Sequence, residues 1–179
     1  MLKKLTVAAA VVIAVVLALS FTGCFNAGEK LAEKAMEKVI EAAGDEGLDI
    51  NIEEGEMNIK DDDGGETQIG EGASLPDGWP GDVAVYPDLK IVLSSKNSDS
   101  EGKVNWGVTG EITNGTVKEV YEWYKSKMGS GWEVTTDSFS TSDGNDSAYL
   151  SLANSSYDVL IILGESDDTI SLTVAVTEK

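Results

Sequence analysis

Residues 116–129 read Thr-Val-Lys-Glu-Val-Tyr-Glu-Trp-Tyr-Lys-Ser-Lys-Met-Gly and predict the helix around which the main domain is built. Thr116 and Glu119 have the spacing of a capping box, in which each side chain accepts a hydrogen bond from a backbone N–H at the helix start. Gly129 is placed to end the helix. Apolar side chains share one face at helical spacing: Val117, Val120, Tyr121, Tyr124 and Met128. The stretch therefore predicts a helix whose apolar face packs on a neighbouring element.

Alternating polar and apolar residues on both sides of this helix predict strands. Val159–Leu163 is apolar at every position, which is typical of a central strand covered on both faces. For residues 83–179 the predicted fold class is α+β, an antiparallel sheet in the order ββαββββ with one helix packed on it. The predicted strands lie around 89–93, 104–112, 132–134, 148–152, 157–163 and 170–176.

A smaller unit is predicted ahead of this domain, over residues 24–70. Asn26 and Glu29 have the spacing to cap an amphipathic helix, and residues 48–59 alternate as a β-hairpin. We expect a small, marginally stable appendage, because helix and hairpin together bury a single thin apolar face. Residues 71–82 contain two prolines and three glycines and predict a linker or an ordered strap.

The first 24 residues have the order of an export signal. Lys3 and Lys4 precede the unbroken apolar run Leu5–Leu19, and small residues then lead to Cys24, the only cysteine. This order resembles the signal peptide of prokaryotic lipoproteins, in which cleavage occurs before a cysteine that carries a diacylglyceryl group. The resemblance implies that residues 1–23 are removed and that acyl chains on Cys24 anchor the protein.

An uncleaved transmembrane helix is the alternative for the same stretch. Leu5–Phe25 is long enough to cross a hydrocarbon core of about 30 Å at about 1.5 Å per residue. Lys3 and Lys4 would then keep the N-terminus in the cytoplasm. The position of Cys24 favours the lipid anchor, and both interpretations predict an extracytoplasmic, membrane-anchored domain.

A second resemblance covers residues 75–179. The segments that carry it are Pro-Gly-Asp-Val-Ala-Val-Tyr-Pro-Asp at 80–88, Val-Tyr-Glu-Trp-Tyr-Lys-Ser-Lys at 120–127 and Gly-Ser-Gly-Trp at 129–132. They are similar to a recurrent class of prokaryotic membrane-anchored lipoproteins with a Tyr-Pro pair before a strand and a Gly-Trp turn. The resemblance implies an exported domain and supplies no catalytic residues.

Composition narrows the functions further. The formal charge is −19 over 179 residues, and the chain contains neither histidine nor arginine. Histidine-dependent nucleophilic catalysis and histidine metal sites are thereby excluded, and an anionic surface repels nucleic acid. We therefore expect a non-enzymatic binding domain without a cofactor and without a nucleic-acid partner. The expected partners are the membrane, through the anchor, and an envelope protein or a small ligand.

Four aromatic residues are the candidate ligand contacts, because tryptophan and tyrosine dominate binding hot spots. They are Trp79, Tyr86, Trp123 and Trp132. Packing in the core or in the strap is the commoner role for such side chains and remains the alternative.

Two other functions stay open. Asp61, Asp62 and Asp63 are the weak candidates for a calcium site, although their spacing is not that of an EF-hand loop and favours a solvated hairpin turn. Paired carboxylates among the 32 acidic residues would suit a glycan hydrolase of the cell envelope. The first alternative would give a calcium-responsive surface domain, the second an enzyme.

Overall fold

The computed structural model describes residues 48–53, 56–62, 64–166 and 169–179. Three predicted features lie outside these residues: the export segment, Cys24 and the helix that follows Asn26. The chain divides between Ile50 and Asn51 into two units, and the fold below is that of the second together with the three residues that precede it. Its elements are β1 (Leu48–Glu53), β2 (Glu56–Asp61), β3 (Glu66–Ile69), β4 (Lys90–Ser98), β5 (Val104–Ile112), α1 (Val117–Lys127), β6 (Glu133–Ser142), β7 (Asn145–Ala153), β8 (Tyr157–Ser166) and β9 (Thr169–Glu178).

The strands form one sheet in the order β1-β2-β3-β4-β5-β9-β8-β7-β6. Neighbours from β2 to β6 across this order pair antiparallel. The C-terminal strand β9 lies between β5 and β8, so the last strand of the chain is central in the sheet. The predicted α+β class with an antiparallel sheet and a packed helix is confirmed. Among the described residues no helix is long and apolar enough to span a membrane.

Helix α1 begins with the predicted capping box. Glu119 N donates to Thr116 Oγ1 over 3.2 Å, and Thr116 N donates to Glu119 Oε2 over 2.8 Å. The helix packs on β7 and β8 through its apolar face. Its buried side chains are Val117, Val120, Tyr121 and Tyr124. The local cap and the apolar stripe together explain why a helix forms here between strands.

The core lies between α1 and one face of the sheet. Period-two alternation places one set of side chains from β7, β8 and β9 under the helix, with relative exposures of 5% or less: Ala148, Leu150, Leu152, Val159, Ile161, Leu163, Ile170, Leu172, Val174 and Val176. The next residues along two of these strands point to the opposite face, where Tyr149 and Ile162 are 41% and 42% exposed. The prediction that Val159–Leu163 is covered on both faces is therefore wrong at Ile162.

The predicted hairpin is part of the main sheet. β2 pairs with β3, placing Met57 opposite Ile69, and β3 pairs with β4, placing Ile69 opposite Leu93. This differs from the expectation of a separate appendage over residues 24–70. Without β3, β4 would present unpaired backbone N–H and C=O groups at a sheet edge. Pairing with β3 provides hydrogen-bond partners for them. The domain boundaries at residues 23, 70 and 82 stay predictions.

Candidate functional site

The segment between β3 and β4, residues 70–89, is an ordered strap that carries two of the four candidate aromatics, Trp79 and Tyr86. Val83 in this strap is buried in the core, and Trp79 Nε1 donates to the Val83 carbonyl oxygen over 3.0 Å. Near the start of the strap, Glu71 Oε1 accepts a hydrogen bond over 2.9 Å from Nζ of Lys90, the first residue of β4. This hydrogen bond lowers the pKa of the Glu71 carboxyl. Half-buried Trp79 is thus used largely to fold the strap.

Tyr86 and Trp123 come together beside Tyr124. The Tyr86 and Trp123 rings meet edge to face at 5.2 Å between centroids, and Trp123 meets Tyr124 in the same way at 4.8 Å. Lys127 Nζ lies 5.9 Å from the Trp123 ring centroid, within reach of a cation–π contact. The structure therefore joins two of the four predicted residues into one aromatic cluster where the strap meets α1.

None of the four candidate aromatics stands free in solvent. Trp79, Tyr86, Trp123 and Trp132 are all half-buried and pack against the core. Among the described residues no ring contact joins Trp79 or Trp132 to the Tyr86–Trp123 pair. Their role as ligand contacts stays a prediction, and each ring has only part of its surface available for it.

The Tyr124 hydroxyl is the buried polar centre of this cluster. Tyr124 is fully buried, and its oxygen accepts a hydrogen bond from Tyr86 N over 3.2 Å. Burial raises the pKa of the Tyr124 phenol above its usual value of about 10, and the hydrogen bond from Tyr86 opposes that rise only in part. The folded state therefore favours the neutral phenol.

Alkaline pH should expose this preference. The pKa of the Tyr124 phenol is higher in the folded state than in the unfolded state, so its contribution to stability is complete below pH 10. That contribution is lost as the pH rises further, because the unfolded state then releases a proton that the folded state retains. We expect Tyr124→Phe to be less stable by about 1 kcal/mol at neutral pH, through the lost hydrogen bond, and to lose less stability above pH 10. Urea midpoints measured from pH 8 to 11 test this.

Tyr149→Phe is the matched control for that experiment. Its side chain is 41% exposed, so this variant should retain the full alkaline loss of stability seen in the unsubstituted protein. All other groups are shared by the three proteins, so the comparison isolates the substituted tyrosine. An identical pH dependence in Tyr124→Phe and the unsubstituted protein would contradict the assignment.

A second cluster lies between α1 and β6 and was not predicted. The Tyr121 hydroxyl donates to Asp137 Oδ1, while Lys125 Nζ donates to Asp137 Oδ2 over 2.8 Å and to the Tyr121 oxygen over 3.2 Å. Phe139, two residues along β6, lies against the Tyr121 ring at 5.7 Å between centroids. The sequence spacing indicates two halves of this cluster, since Tyr121 and Lys125 are four apart on a helix and share a face, and Asp137 and Phe139 are two apart on a strand and share a face. No sequence pattern indicates that these two pairs contact each other.

The predicted calcium candidates form a hairpin turn. Gly65 N donates to Asp61 Oδ1 over 2.6 Å, and Asp61 N donates to the Gly65 carbonyl oxygen over 3.0 Å. Gly64 between them has φ +83°, a conformation that glycine adopts without strain. Asp62 is exposed, and Asp63 lies outside the described residues. Within the part of the chain that the structure describes, no three acidic or cysteine side chains are grouped to hold a metal ion.

Comparison with known proteins gives structural likenesses alone. No protein-family model and no curated protein matches the chain. The solution structure of cyanobacterial PsbP (CyanoP) from Synechocystis sp. PCC 6803 is similar with a TM-score of 0.36 and 11% sequence identity. The match covers 73% of this chain and 79% of that one. At this TM-score the likeness carries no argument about function.

Proposed function

We propose that this protein is an exported lipoprotein, anchored through Cys24, whose sheet domain binds a partner at the cell envelope and performs no catalysis. The observation that carries the anchor is the order of the first residues: two lysines, the apolar run Leu5–Leu19, and the lone cysteine directly after small residues. The fold and the side-chain chemistry described above support the binding role.

The physical basis of the anchor is acyl-chain burial. Each methylene group transferred into the bilayer contributes about 0.8 kcal/mol, so a single chain holds a protein reversibly and two or more hold it stably. A diacylglyceryl group on Cys24 supplies two chains. The anionic domain contributes no attraction to anionic head groups, so the lipid has to provide the membrane affinity.

Binding rather than catalysis is supported by the use of the chain's few cations. Lys90, Lys125 and Lys179 each lie in an ion pair with a carboxylate, at 2.8–3.2 Å between nitrogen and oxygen. With no histidine or arginine in the sequence, lysine is the one side-chain type left to polarise a substrate as a cation, and in these three lysines the ammonium group already faces a carboxylate. The domain instead offers exposed apolar side chains on β6, Val134 and Phe139.

Mass spectrometry of the protein taken from its native membrane tests the proposal. We expect the N-terminal peptide to begin at Cys24 and to carry the mass of a diacylglyceryl group. A Cys24→Ser variant should lose the acyl mass and retain residues 1–23. An N-terminal peptide that begins at Met1 and contains unmodified Cys24 would overturn the anchor in favour of the transmembrane helix. Hydrolysis of envelope glycans by the purified full-length protein would overturn the non-catalytic role.

A further inference from the structure

Strand β6 forms an open edge of the sheet. It is last in the strand order, and within the described structure it pairs with β7 alone, from Glu133 opposite Ala153 to Ser142 opposite Asn145. All ten of its residues are exposed, and no other described strand pairs with its outer side. The outward backbone N–H and C=O groups of such an edge are a template for another strand.

The edge is already held in place on its inner side. Asp137 on β6 is hydrogen-bonded to Lys125 and Tyr121 of α1, and Phe139 packs on the Tyr121 ring. Both tie the middle of the strand to the helix before any partner arrives. A strand that is fixed in advance loses less conformational entropy on binding, which favours a partner that adds by backbone pairing.

The usual protections against edge pairing are sparse in β6. The strand contains no lysine and no proline, the residues with which proteins commonly block a sheet edge. Its single irregularity is a bulge between Val134 and Thr136, after which the register with β7 is continuous to Ser142. Seven consecutive residues of regular edge therefore remain available, about the length of an ordinary strand.

Charge indicates what kind of strand this edge receives. Residues 128–178, which include β6 to β9 almost entirely, contain nine acidic residues and no lysine or arginine. A second copy of the chain would bring another −19 charge to the edge and is therefore repelled. A segment with lysine or arginine is attracted to it, and the Lys125 ammonium beside β6 is neutralised by Asp137.

We propose that β6 binds an extended, basic segment of a partner protein as an added strand of the sheet. Backbone hydrogen bonds to residues 136–142 supply the affinity, and apolar side chains on the α1 side of the added strand pack beside Phe139, which is 37% exposed. Lysine or arginine side chains on its other face lie over the acidic half of the domain. This inference rests on the proposed binding function and names the class of its partner.

A peptide of about twelve residues with alternating lysine and valine is the probe, titrated against the full-length protein in detergent micelles. We expect saturable binding, together with slower amide hydrogen exchange confined to β6. Two control peptides separate the contributions. One has the same composition with all lysines in a single block, and the other is N-methylated at alternate backbone nitrogens, which removes the donors that pair with an edge. Both should bind at least about tenfold more weakly.

Two protein variants locate the contact. Phe139→Ser should weaken binding of the alternating peptide by about tenfold, because it removes the apolar surface on the α1 side of the edge. Tyr149→Ser is the matched control, since Tyr149 is equally exposed but lies one strand inward on the opposite face, and it should leave the affinity unchanged. Thermal melting confirms that each variant is folded.

Several results would overturn the proposal. These are absence of binding by the alternating peptide, equal binding by the block peptide, or exchange protection outside β6. Sedimentation that shows a dimer whose β6 amides are protected without peptide would assign the edge to a second copy instead. Because acylation of Cys24 is measured separately, an acylated protein that fails these tests retains its anchor and loses only the assigned partner class.

Discussion

Ile161→Ala is expected to lower the free energy of unfolding by about 2–5 kcal/mol, whereas Ile162→Ala, one residue along β8, should lower it by about 1 kcal/mol or less. Ile161 is 1% exposed and lies under α1, so truncation removes buried methylene groups and leaves a cavity in a packed core. Ile162 is 42% exposed on the opposite face, where water fills the space that its side chain leaves.

The two isoleucines make a matched pair because they share a strand, a residue type and a substitution. Urea unfolding of the full-length protein and both variants, followed by circular dichroism, gives the difference directly from the midpoints when the slopes are equal. Similar losses in both variants would mean that the face away from α1 is covered in solution. That result would contradict the one-sided core at β8.

Gly110→Ala is expected to destabilise the protein by about 1–3 kcal/mol, the ordinary cost of overpacking a site that cannot relax. A Cβ atom at Gly110 would lie 2.3 Å from the Lys90 carbonyl oxygen and 2.7 Å from Leu89 Cδ1. The first of these atoms belongs to the backbone where the strap enters β4, one residue before Ile91, which lies opposite Gly110 in the sheet. Relief of the clash therefore requires the strap to shift, and a change of rotamer does not suffice.

Gly164→Ala is the control for that substitution. Gly164 lies in β8, and a Cβ atom there meets nothing within 4 Å. Because alanine loses less conformational entropy than glycine on folding, this variant should be unchanged or more stable by up to about 1 kcal/mol. Thermal or urea unfolding of the two variants side by side measures the contrast. A Gly110→Ala protein as stable as Gly164→Ala would show that the strap does not lie closely against β5.

Local patterns predicted most of the secondary structure of residues 83–179. Thr116 and Glu119 mark the start of α1 through hydrogen bonds that span only three residues, and the alternation in β9 marks its buried face. Such signals depend on neighbours in sequence, so they are legible without the fold. The predicted strand near 132–134 was too short, since β6 continues to Ser142 with no apolar alternation to mark it.

The candidate sites were less predictable for a physical reason. Residue type alone marks the four candidate aromatics, Trp79, Tyr86, Trp123 and Trp132. Their burial and ring contacts depend on where the strap crosses the domain. Tyr121, Asp137 and Phe139 meet only because α1 packs beside the edge strand. No local spacing records that contact, because the partners belong to different elements.

The sequence by itself determined the composition, the acidic charge, the positions of α1 and most of the strands, and the pattern of an export signal ending at Cys24. The tertiary structure decided that β9 lies between β5 and β8, that β3 extends the sheet beyond β4, and that β6 lies exposed at one edge of the described sheet. Pairing between distant strands is chosen by competition among all the edges and apolar faces of the folded chain. That competition is settled by the whole molecule and not by any one segment.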